Sequence, residues 1–207
     1  MLRTHLNSQK WVERGTDLFL AQVALLDEQA LSAPSALPGW SRKHLVAHVA
    51  ANAVALSNLV HWADTGERTP MYSSTEQRNA DIEAGSSLTG SQLSAWLTSS
   101  AHNLAGEMSR LAAEKWRNEV VTAQGRTVPA TEVPWLRARE VCVHAVDLGT
   151  GLTFADLPEQ FLEALVVNVQ EKRDLETVPS GGLPDVAAYL AGRPHALVDV
   201  PELGRWL

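Results

Sequence analysis

Residues 42–62 run without a proline or glycine, and more than half of them are alanine, valine or leucine. A helix this apolar has no solvated face and must be surrounded by other elements. Ser41 is placed to cap it, and Asp64, Gly66 and Pro70 end it. The fold therefore has to wrap further helices or sheets around this one segment. A chain of 207 residues, 45% hydrophobic and 20% charged, has the material for that, which excludes wholesale disorder. The length suits one domain, or one domain with a small appendage.

Candidates for the covering elements are legible. Residues 2–31 lack proline, have glycine only at Gly15, and place Val12, Leu18, Phe19, Val23, Leu25 and Leu26 at helical intervals. This predicts one long amphipathic helix, stopped by Pro34, Pro38 and Gly39. A weaker helix is expected over 75–84. A long one, capped by Thr89 or Ser91, runs to Leu111 with Leu93, Trp96, Leu97, Leu104 and Met108 inward. β-Branched residues flanking Gln124-Gly125-Arg126 predict a short hairpin or extended crossover. Thr131 and Pro134 announce a further helix over 134–148, stopped by Gly149 or Gly151. Four long helices with one crossover predict a mainly α chain, a four-helix bundle over 1–152. Residues 153–207 are expected to form a small α/β domain: helices over 158–172 and 185–190, then apolar pieces over 197–200 and 203–207.

A formal charge of −7 without a lysine or arginine cluster argues against nucleic acid as a partner. No apolar run reaches the roughly 18 residues of a membrane span, and residues 1–10 carry no apolar signal core. A cytoplasmic protein, a monomer or small homo-oligomer with small-molecule ligands, is the expectation. The single cysteine, Cys142, excludes an internal disulfide and a cysteine-rich metal cluster.

The chemistry-bearing residues lie on two helices. Glu140 and His144 stand at i and i+4, so both reach toward one spot about 6 Å wide. His44, His48 and Asn52 are also four apart, and His48 sits among small apolar residues that turn it inward. Two imidazoles and a carboxylate from facing helices can hold a divalent cation in a bundle core. With zinc they make a three-ligand site with a fourth position open; non-haem iron(II) suits the same donors. The residues also admit plainer roles: a solvated Glu–His pair, a hydrogen-bonded core histidine at 48, or a His44–His48 pair in place of the cross-helix set. Asp147 can orient His144 or lie at the surface. Cys142 falls about 200° around the helix from the two candidate ligands and reads as an inert packed thiol. Arg139 lies off their face.

Leu37-Pro-Gly-Trp40-Ser-Arg-Lys-His-Leu-Val-Ala-His48 resembles the GW(S/T)…LxxH entry to the second helix of the DinB-like bundle superfamily. Arg137-Ala-Arg139-Glu140-Val-Cys-Val-His144-Ala-Val-Asp147-Leu is similar to the RxREVxVHxVDL signature of the mycothiol-dependent maleylpyruvate isomerases. The likeness spans about residues 10–155 and implies a DinB-type bundle with zinc on His48, Glu140 and His144. It also implies a C-terminal α/β domain and mycothiol as thiol cosubstrate. Ala187-Ala-Tyr-Leu-Ala-Gly-Arg193 resembles the family's LLxGR helix end, which makes Arg193 the expected catalytic cation. Between Lys172 and Leu183 the chain is shorter than the family pattern.

The implied reaction turns maleylpyruvate into fumarylpyruvate. An activated thiolate adds to the cis double bond, the resulting single bond rotates, and the thiolate leaves. Two other readings use the same residues: a DinB-type S-transferase joining mycothiol to electrophiles, and a non-enzymatic binding module stabilised by its metal.

Overall fold

The computed structural model describes residues 3–204. Its helices are α1 (His5–Ala24), α2 (Glu28–Ser32), α3 (Arg42–Thr65), α4 (Thr75–Ser86), α5 (Gly90–Arg110), α6 (Val133–Asp147), α7 (Glu159–Lys172) and α8 (Leu183–Leu190). Strands β1 (Glu119–Val121) and β2 (Thr127–Pro129) form an antiparallel hairpin that pairs Val120 with Val128.

The apolar helix is α3, and the bundle closes around it. α5 and α6 flank it, α1 packs on α6 and, more loosely, on α5, and α4 lies across the outside. α3 is long and apolar enough to cross a membrane, yet most of its length is buried between these neighbours. Ser41 caps it as expected, accepting from the His44 backbone N–H while the Ser41 N–H is met by His44 Nδ1. Gly66, at φ +79°, ends it in the left-handed conformation that favours glycine.

Two expectations are corrected. The helix predicted over 2–31 breaks after Ala24, because the Asp27 carboxylate accepts from the Ala30 N–H at 2.8 Å and opens α2 as a separate turn. The strands expected after residue 153 are not found among the described residues. There the chain forms α7, α8, a 3₁₀ turn at Phe154–Asp156 and irregular segments. Leu197 settles against Gly181 instead of pairing in a sheet, and residues 205–207 lie outside the described range.

The C-terminal part docks through aromatic packing. Phe161 of α7 meets Trp11 of α1 and Trp135 of α6, with ring centroids 6.0 and 5.7 Å away, and Trp135 Nε1 donates to Asn168 Oδ1 at 3.2 Å.

The register between α3 and α6 places the candidate site. Arg42, the first residue of α3, donates from Nε to the Leu148 carbonyl at 2.6 Å, from Nη2 to Gly149 and from Nη1 to Ala30, both at 3.0 Å. The start of α3 is thereby clamped to the end of α6. His48, just under two turns along α3, comes level with His144, one turn before Leu148.

Candidate metal centre

Across that α3–α6 seam, one ligand atom each from His48, Glu140 and His144 lies within 4.8 Å of the others. His48 Nε2 is 2.9 Å and His144 Nε2 is 3.3 Å from the same Glu140 oxygen, and the imidazoles meet edge to face at 5.1 Å. Both histidines are buried. The i,i+4 step along α6 and the inward face of α3 thus bring together the three residues singled out from sequence.

His44 is not among them. Its Nδ1 serves the cap at Ser41, and its Nε2 faces Glu83 at 3.5 Å.

Neighbours fix each ring. Asp147 Oδ2, an acceptor only, takes the His144 Nδ1 proton at 2.8 Å, which turns Nε2 toward Glu140. Asp147 in turn is gripped by Arg193, through Nε to Oδ1 at 3.0 Å and Nη2 to Oδ2 at 2.7 Å. Arg193, expected to face substrate, is buried behind Asp147, and its Nη1 donates to the Ala191 carbonyl. On the other side, Arg78 of α4 approaches His48 Nδ1 at 3.2 Å. A guanidinium can only donate, so a neutral His48 keeps its proton on Nε2, aimed at Glu140. Trp40 closes the rim, 5.5 Å from the His48 ring.

Electrostatics follow from this geometry. Burial alone would raise the Glu140 carboxyl, but hydrogen bonds from His144 and His48 outweigh it and hold the group well below the carboxylate range. Burial likewise opposes the charged form of His144, yet Asp147 and Glu140 push it upward. His48 is lowered, first by burial and only partly offset by Glu140.

The donor set fits a divalent cation. Two imidazole nitrogens and one ionised carboxylate converge, and the His144–Asp147 bond is the support that orients a metal-binding histidine. Loading would displace the proton of His48 Nε2.

A cleft of about 680 Å3 opens on the Glu140 side, lined among others by Asn52, Met71, Arg126, Trp135, Arg139 and Lys172. Behind Asn52, which lines this cleft, Arg137 donates from Nη1 to the Val49 carbonyl at 2.7 Å and to Asn52 Oδ1 at 2.9 Å, which pins Asn52 one turn beyond His48. Cys142 faces away from the site as expected. It is buried, its thiol is pushed up by burial, and its Sγ lies 3.7 Å from the Trp11 carbonyl.

Arg78, and the bond that Arg137 makes to Asn52, escape a reading of the sequence. Arg78 is 30 residues from His48 on a weakly patterned helix. Asn52, by contrast, carries the same four-residue step as His44 and His48.

A family model described as the mycothiol maleylpyruvate isomerase N-terminal domain matches residues 12–149. Among solved structures, a crystal structure of the mycothiol-dependent maleylpyruvate isomerase superposes with a TM-score of 0.91 at 38% identity, covering 99% of this chain and all of that one. A crystal structure of a histidine-to-alanine mutant of that enzyme superposes at 0.90 with 36% identity and the same coverage. No curated protein sequence matches the chain.

Proposed function

The chain belongs to the mycothiol maleylpyruvate isomerase family, and from that premise we propose that it converts maleylpyruvate to fumarylpyruvate with mycothiol as cosubstrate and zinc on His48, Glu140 and His144. The convergence of these three donors within 4.8 Å, with Glu140 lining a cleft, carries the reading.

The chemistry needs a sulfur nucleophile. A thiolate attacks one carbon of the cis double bond, and the electron pair moves onto the conjugated carbonyl as an enolate. The remaining single bond rotates, the enolate collapses, and the thiolate is expelled from the trans product. Cys142 cannot serve, since it is buried on the opposite face of α6 with its thiol held protonated. The sulfur therefore comes from a cosubstrate. A divalent ion, when bound, supplies the Lewis acidity that favours a thiolate over a thiol at neutral pH.

The chain's own residues hold the arrangement. Asp147 keeps the proton of His144 on Nδ1, and Arg193 keeps Asp147 ionised and in place. We assign Arg193 this positioning role, exerted through Asp147, in place of direct contact with substrate. In the same reading, residues 1–152 supply the site and residues 153–207 lock it from behind through Arg193.

Metal analysis and turnover test the proposal together. The wild-type chain is expected to hold about one zinc ion and to isomerise maleylpyruvate only with mycothiol present. His48→Ala is expected to lose both metal and rate. A His48→Ala protein with full zinc and full activity would overturn it.

A further inference from the structure

Isomerisation by a borrowed thiol needs two molecules held at once, and the fold offers two spaces that share a wall. One is the cleft on the Glu140 side. The other is a hollow of about 580 Å3 between α3, α4 and the segment joining them, and Met71 lines both. Met71 is held as the partition. Asn58 Nδ2 of α3 donates to the Pro70 carbonyl at 3.2 Å, and the Ala123 N–H, beside β1, meets Met71 Sδ at 3.2 Å.

The hollow runs beside the metal centre. Ala51 and Ala55 line it, and they stand about 60° around α3 from His48 and Asn52. Tyr72 lines it as well, with the Arg78 guanidinium 5.9 Å from its ring centroid, and Arg78 approaches His48 Nδ1 at 3.2 Å. Burial first, and then the Glu140 charge, raise the Tyr72 hydroxyl, so the phenol lies within electrostatic reach of the centre. The lining suits an uncharged polyol. Trp96 and Tyr72 supply aromatic faces on which the C–H groups of a sugar ring can rest. Gly85 lies so near Trp96 that an added Cβ would meet the ring at 2.7 Å, which keeps that ring in place. Polar contacts come from Asn58, Gln77 and Asp81. Gln77 Nε2 donates to Asp81 Oδ1 at 2.7 Å and aligns the two side chains one turn apart on α4. The amides and the carboxylate carry further oxygens able to accept from hydroxyls. Among the described residues no lysine or arginine lines the hollow, so a dicarboxylate there would meet the Asp81 charge and no lining cation.

We propose that this hollow seats the sugar portion of the thiol cosubstrate, with Trp96 and Tyr72 as its stacking faces and Asn58, Gln77 and Asp81 as its hydroxyl partners, while maleylpyruvate takes the cleft on the Glu140 side. The assignment rests on the isomerase reading above and adds to it the groups that select one thiol among many. Mycothiol joins an N-acetylated cysteine by an amide to an amino sugar and a cyclic polyol, so beyond its sulfur it is uncharged and rich in hydroxyls. The volume of the hollow lies in the range that takes up small-molecule ligands. Entry from this side brings the cysteine end past Met71 and Tyr72 toward His48, and leaves the other space for the alkene.

The test uses the full chain loaded with zinc and compares two thiols. Calorimetry measures binding of mycothiol and of N-acetylcysteine amide, which has the same thiol end and no sugar. Wild type is expected to prefer mycothiol by about tenfold or more. Gln77→Ala/Asp81→Ala, at two exposed positions, is expected to bring that preference to within about threefold by weakening mycothiol alone. Binding of the sugar-free thiol reports that the metal centre is intact in each protein. Val54→Trp, which puts a bulky ring at a position 47% exposed on the wall of the hollow, is expected to remove the preference as well. In steady-state kinetics the double variant is expected to raise KM for mycothiol about tenfold and KM for maleylpyruvate by less than about threefold. A double variant that keeps the wild-type preference within about twofold would overturn the assignment, as would a wild-type chain that holds the two thiols equally. If mycothiol binds with this preference but maleylpyruvate is not turned over, the isomerase reading falls and the thiol site stands.

Discussion

Toward α1, helix α6 presents Val141 and Cys142 to Gly15, and the backbones lie so near that a Cβ at position 15 would meet Cys142 Sγ and Val141 Cγ2 at 2.6 Å. Toward α3, the same helix presents Arg137, Glu140 and His144, and the space beside them stays open as a cleft. The first face is dry and close-packed, and its stabilisation is dispersion and burial, insensitive to charge. The second buries ionisable groups, each of which costs free energy unless a partner meets it. One helix can carry both because the close contact with α1 fixes where its polar face points. That division of labour makes different kinds of damage separable.

The largest effect is expected from the polar face. Arg193→Met removes the guanidinium partner of a carboxylate that is 1% exposed and leaves it only the His144 N–H, and breaking a buried ion pair costs about 3–5 kcal/mol. Chemical denaturation should read that loss, together with weaker retention of a divalent metal. If only metal affinity fell and stability held, Asp147 would have found another partner and the comparison would weaken.

On the dry face, Gly15→Val forces α1 away from α6, at a cost of about 1–3 kcal/mol for an overpacked contact. Thermal unfolding should show it. The folded fraction should keep metal affinity near wild type, since Gly15 touches none of the polar groups. Loss of metal in step with stability would show that the two faces are coupled.

Asp147→Asn keeps the shape and removes the charge. Weakening the support of a metal-binding histidine lowers metal affinity by about 10- to 100-fold, readable by chelator competition. The variant also changes acid behaviour. Burial would raise the Asp147 carboxyl, but His144 and Arg193 hold it below its ordinary value of 3.8. A depressed carboxyl stabilises the fold above that value and loses its contribution as pH falls through the folded-state value. Wild type should therefore lose stability more steeply below about pH 4 than Asp147→Asn does.

The smallest effect belongs to Cys142→Ala, about 1 kcal/mol for a small buried group, with thiol dependence unchanged. A variant that no longer required mycothiol, or lost all turnover while folded, would contradict the assignment of the nucleophile to the cosubstrate.

How much of this is legible in the sequence depends on whether a contact has a period. His48, Glu140 and His144 are readable because the i,i+4 step and a surround of small apolar residues fix the face on which a helical side chain lies. Ser41 and Thr89 follow from cap chemistry, and the hairpin from its Gln-Gly-Arg turn. Asp147 is half readable, since i+3 admits it to the site without requiring it there. The Arg193–Asp147 pair spans 46 residues, and Arg78 reaches His48 from 30 away. No spacing encodes either, because both depend on how separate elements dock. The break at Asp27 is missed for a different reason: apolar residues on both sides keep the helical period, and a single cap outweighs it. In the tail, short apolar runs without alternation suggest strands, but tertiary packing of Leu197 on Gly181 decides otherwise.

The sealing of Cys142 has a consequence for life under oxidants. Peroxide, disulfide exchange and electrophiles all act on an accessible thiolate, and this chain offers none. An agent that depletes the cell's small thiols would starve the catalyst and leave its one sulfhydryl untouched. Activity would then return as soon as the reductant pool recovered, with no repair of a cysteine needed.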